Sequence, residues 1–90
     1  MNKAIKELYW LAEDLQAYTD LTGDNFDTEK AQSKLWKMNP ILAENDFHEI
    51  QNLYDELLDA LELPSFFDKA AFAEMVEALF ELLESMLENL

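Results

Sequence analysis

Apolar residues recur at three- and four-residue spacing along most of the chain, the period of α-helices that bury one face. Ile5, Leu8, Ala12 and Leu15 form one such stripe, flanked by Tyr9, Leu11 and Tyr18, and predict a first helix from about Lys3 to Tyr18. Gly23, the only glycine, suits the turn that ends it, since glycine enters the left-handed region without steric cost. Asp20 to Asp27 then reads as a polar loop pinned by Leu21 and Phe26. A second helix is expected from about Thr28 to Met38, N-capped by Asp27, with Ala31, Leu35 and Met38 inward. Asn39-Pro40 ends it, because the residue before proline avoids the α region. Pro40 opens a short turn to Glu44, as proline is tolerated at the first helical position.

Asp46 followed by Glu49 has the form of a capping box. It predicts a third helix from about Phe47 to Glu62, with Phe47, Ile50, Tyr54, Leu57 and Leu61 on one face. Pro64-Ser65 breaks the chain, and Ser65 with Asp68 starts a last helix from about Phe66 to Glu88. No alternating β-branched run, internal repeat or low-complexity tract intervenes. The expectation is an all-α fold: a small single domain over residues 1–90, a bundle of about four helices with short connections.

The last helix differs from the others. At 100° per residue, Phe72, Met75, Val76, Leu79, Phe80, Leu82, Leu83, Met86, Leu87 and Leu90 span about 160°, wider than the roughly 100° stripe of an ordinary surface helix. Either this helix is the central member of the bundle, or part of the arc buries against a partner or a second copy. Its opposite face holds Glu74, Glu77, Glu81, Glu84 and Glu88 within about 80°. No lysine or arginine follows Lys69 to offset them. Like charges four residues apart cost a few tenths of a kcal/mol each, and the last glutamates face the negative end of the helix dipole. A sequence that accepts these penalties in series is consistent with selection for the field they create; a solvated face that maintains solubility is the plainer alternative.

Composition sharpens that picture. Twenty acidic residues against six basic give a net charge of −14, which repels nucleic acid and anionic membranes and favours basic partners. Residues 1–40 carry five lysines and seven acids; residues 41–90 carry one lysine and 13 acids. The third helix contributes Asp55, Glu56, Asp59 and Glu62, which could form a second row if it lies antiparallel to the last helix. Half the residues are apolar, including six Phe, three Tyr and two Trp, too many for a disordered acidic tail. There is no cysteine, hence no disulfide or thiolate metal site. Glu7 interrupts the apolar run a signal peptide would need, and no run approaches a membrane span. A cytoplasmic protein is expected, with signal-independent secretion the alternative.

The sequence makes no case for an enzyme. His48, the lone histidine, lacks the companions of a zinc site. With one glycine there is no phosphate loop, and neither a Ser-His-Asp set nor HExxH occurs. The oxygen-rich loop Asp20 to Asp27 lacks glycine and glutamate at the EF-hand positions and reads as a helix-capping loop rather than a calcium site. No catalytic, cofactor or metal residue is therefore assigned. Two tryptophans are open questions. Trp10 points about 160° from the apolar average of its helix, among Lys3, Lys6, Glu13 and Asp14, so it is either an interface anchor or covered by a short element. Trp36 sits off its stripe beside Lys30, Lys34 and Lys37, lysines better matched to the protein's own carboxylates or to an acidic neighbour than to a phosphate backbone.

In size, acidity and charge placement, though in no motif, the chain is similar to small phage-encoded acidic inhibitors, such as anti-CRISPR and anti-restriction proteins. That likeness implies a non-enzymatic binder of a basic, nucleic-acid-binding surface. The carboxylates of the third and fourth helices (Asp55, Glu56, Asp59, Glu62, Glu74, Glu77, Glu81, Glu84 and Glu88) are the expected contact, with no direct nucleic-acid or membrane binding. One helix alone is sparse for such a role: five charges over about 21 Å is one per 4–5 Å, against one per roughly 1.7 Å of duplex. The alternative is an adaptor or immunity-type protein that binds through Trp10, or through Phe80 and Leu87 on the last helix, including as a homodimer.

Overall fold

The computed structural model describes residues 2–89, and Leu90, expected at the end of the last apolar arc, lies outside them. Helix α1 spans Asn2–Leu21, α2 Thr28–Trp36, α3 Asn39–Glu44, α4 His48–Glu62 and α5 Lys69–Glu88. Single 3-10 turns occupy Gly23–Asn25 and Pro64–Phe66, and no strand occurs among the described residues. The fold is an all-α bundle of four main helices, with the short α3 bridging α2 and α4.

α1 runs one turn beyond its expected end, and two threonines, one within its last turn and one just past it, bond back to its carbonyls. The Thr19 hydroxyl donates to the Leu15 carbonyl (2.9 Å) and the Thr22 hydroxyl to the Tyr18 carbonyl (2.8 Å). Gly23, at φ +54°, then reverses the chain. A β-carbon there would meet no atom within 4 Å, so the backbone angle rather than space calls for glycine. Leu21 does not pin the following loop; it is 84% exposed. Phe26 does so, stacked on Phe67 at 4.9 Å and packed against Tyr18 and Phe72 at 5.4 and 5.6 Å.

Asp27 caps α2 as expected, its carboxylate accepting from the backbone N–H of Glu29 (2.9 Å) and Lys30 (3.4 Å). α2 stops at Trp36, and Met38, buried, leads into α3 with Pro40 in its first turn. Two predicted starts are corrected. The Asp46–Glu49 capping box is not made: no side chain caps α4, and an Asp46 oxygen lies 3.0 Å from Nε2 of His48 instead. The last helix begins at Lys69 rather than Phe66. The 3-10 turn and the Phe26–Phe67 stack hold residues 64–67 out of the helix, and Asp68, not Ser65, caps it through the N–H groups of Ala70 (3.0 Å) and Ala71 (3.3 Å).

The four main helices alternate in direction. Tyr9 meets Phe80 (centroids 4.7 Å) while Lys69 Nζ donates to the Gly23 carbonyl (2.9 Å), so α1 and α5 are antiparallel. Lys34 reaches Asp14 and the Asp27 N–H donates to the Tyr18 hydroxyl, which sets α2 antiparallel to α1. α5 packs on α1 and α4, and α2 closes the ring against the same two helices. One core results, with Leu8, Leu15, Leu35, Ile50, Leu57, Phe72, Leu79 and Leu83 fully buried.

Candidate functional site

The width of the α5 apolar arc is used within the chain. Phe72, Val76, Leu79 and Leu83 point into the core and are fully buried. On one flank Phe80 packs against Tyr9 of α1. On the other, Leu82 and Met86 border a depression of about 360 Å³ with Ile50 of α4 and Phe47 just before it. Leu87 is partly buried against the core. α5 is not a central member of the bundle, since like each main helix it packs on two others, but Phe80 and Leu87 are partly buried against the chain's own residues.

Opposite that arc, Glu74, Glu77, Glu81, Glu84 and Glu88 are all exposed. Their stripe is not centred on the outward direction. Placed at 100° per residue, Glu74 and Glu81 point straight out, while Glu77, Glu84 and Glu88 incline toward α1. The Tyr9 phenol registers this: burial raises its pKa above the ordinary value, and the charges of Glu84 and then Glu13 raise it further. Glu13 of α1 therefore extends the glutamate row, whereas Lys6, one turn before Tyr9 on the same flank, interrupts it.

The carboxylates of α4 are also exposed but do not merge with this row. Asp55 accepts a hydrogen bond from Gln51 Nε2 (3.0 Å) and, after burial, is the second cause of a raised Tyr54 pKa. Glu62 borders a depression with Thr28, Glu29 and Gln32 of α2. Asp55 and Glu62 thus incline toward α2 and Asp59 points outward, while Glu56 leans toward α5, as does Glu49, which lines the depression with Leu82 and Met86. Between the two rows, the α4 flank of α5 presents the exposed small residues Ala71, Ala78 and Ser85. The bundle therefore carries two acidic rows rather than one denser face. Among the described residues no cluster of three or more acids and histidines is positioned to hold a metal, and no helix is long and apolar enough to cross a membrane.

The lysines divide by position. Lys34 pairs with Asp14 at 2.8 Å, and Lys30 and Lys34 lie over the Tyr18 ring at 5.6 and 5.5 Å. Of the Lys30, Lys34, Lys37 stripe, only Lys34 thus makes the expected pair with a carboxylate of the chain, and Lys30 meets an aromatic ring instead. No lysine lies within ion-pair distance of the α5 glutamates among the described residues. His48 is exposed beside Asp46. Trp10 is 62% and Trp36 53% exposed, so α3 does not cover Trp10. The contribution of Glu13 was not legible in the sequence, because it depends on which helix neighbours α5.

The chain matches no protein-family model, and neither the curated proteins nor the solved structures compared with it include a match.

Proposed function

We propose that this is a non-enzymatic binding protein whose α5 carboxylate row docks on a basic protein surface, of the kind that otherwise holds nucleic-acid phosphates. One observation carries the proposal: five glutamates stand exposed along α5, and among the described residues no cation is in contact with them. Glutamates in such a row raise the local negative potential and steer a basic partner toward it. The spacing of one charge per 4–5 Å falls short of duplex density, so the partner's basic groups are engaged by a row of discrete carboxylates rather than by a copy of the phosphate backbone. The separate α4 row, Asp55, Glu56, Asp59 and Glu62, serves as a second contact for a partner broad enough to reach around Ala71, Ala78 and Ser85.

The test is capture of basic nucleic-acid-binding proteins from nuclease-treated bacterial lysate on the immobilised chain. Glu77→Lys/Glu81→Lys/Glu84→Lys serves as the parallel column. Partners are expected to elute with rising salt, to be displaced by added nucleic acid, and never to bind the reversed variant. Equal retention on both columns would sink the proposal.

A further inference from the structure

At the end of the bundle that carries α3, a cleft of about 380 Å³ opens between α1 and the α2–α3 turn, lined by Glu7, Trp10, Leu11, Lys37 and Ile41. Trp10, 62% exposed, forms one wall. A second depression of about 310 Å³ shares Glu7 and Ile41 and adds Lys3 and Glu44, so the two form one groove. Its charged residues are two acids and two lysines, a local balance in a chain of net charge −14. No ion pair joins Glu7 to Lys37 within the chain.

Two features select the occupant. A second copy of so acidic a chain is repelled by the carboxylate rows of α4 and α5 but not by this groove. A two-fold interface must also match itself. An apolar centre of Trp10, Leu11 and Ile41, with an acid at one side and a lysine at the other, meets that requirement: rotation by 180° sets Glu7 against Lys37 twice. We infer that the Trp10 cleft is the contact of a homodimer, in which Trp10 of each copy packs on the apolar wall of the other and Glu7 faces Lys37 across the two-fold axis. Tryptophan is among the commonest anchors of such contacts. The α5 glutamates remain outside the interface, so the inference stands apart from the proposed function.

Sedimentation equilibrium over a concentration series decides it. The mass should rise from 10.5 kDa toward twice that value. Association should tighten as salt increases, because screening removes repulsion between like-charged copies. Trp10→Ala should weaken the dimer at least about thirtyfold, with helicity unchanged. Glu7→Lys should weaken it about tenfold despite lowering the net negative charge, since it sets lysine against lysine. Lys37→Glu should do likewise, and the double variant should restore association. A chain that stays monomeric to about 1 mM, a dimer unaffected by Trp10→Ala, or a double variant no better than the singles would each overturn the inference.

Discussion

At the scale of single residues, Tyr9 reports most directly on how the helices are assembled. Its ring packs on Phe80, and burial, then Glu84, then Glu13 raise its phenol pKa. In the unfolded chain the phenol returns to about 10. Below that pH the group is neutral in both states and its contribution to stability is fully present. As pH climbs from about 10 through the raised folded value, the unfolded chain loses its proton first and the contribution is lost. Tyr9→Phe is therefore expected to flatten the alkaline fall in stability, measured as the urea midpoint at stepped pH. Glu84→Gln should lower the Tyr9 midpoint, read from phenolate absorbance, yet leave it above the ordinary value because burial is the larger cause. A Tyr9 midpoint indifferent to Glu84→Gln would mean that the glutamate row does not lean toward α1.

At the scale of elements, α5 holds a tension between local stability and charge. Glu81 has Glu77 one turn before it and Glu84 nearly one turn after. Glu81→Lys turns both neighbours into attractive pairs, one with glutamate N-terminal to lysine, the better orientation, and places a cation in the later half of the helix. A gain of about 0.5–1 kcal/mol is expected in urea unfolding. A loss would show that Glu81 already has a stabilising role in the fold. The same periodicity that made this row visible made the core visible. Ile5, Leu8, Ala12 and Leu15, with Phe47, Ile50, Tyr54, Leu57 and Leu61, are buried where their spacing placed them. Boundaries set by tertiary contact were less legible. Nothing local to Ser65 and Asp68 says which will cap α5; the choice follows from Phe67 stacking on Phe26, a partner some forty residues away. The neighbours of α5 were equally hidden, which is why Glu13 joined the acidic row only in three dimensions and why the cleft beside Trp10 could not be drawn from α1 alone.

At the scale of the whole molecule, the question is how far fourteen net negative charges feel one another. The bundle measures 38 × 22 × 17 Å, so charges on opposite flanks lie about two screening lengths apart at 0.1 M salt, where that length is about 10 Å. At 0.01 M the length is about 30 Å, and every carboxylate on the bundle then repels every other. Repulsion across the bundle should therefore vanish between those two conditions, leaving only the close neighbours within each row. The urea midpoint of the dilute protein should rise from about 0.01 to about 0.1 M salt and change little beyond. Glu77→Lys/Glu81→Lys/Glu84→Lys raises the net charge by six, to −8, and should reduce that rise. An equally steep rise in the reversed variant would trace the salt effect to charges other than the α5 row. No rise in either protein would show that the two rows are far enough apart for the fold to tolerate its charge unscreened, so that the acidic surface imposes no measurable cost on stability.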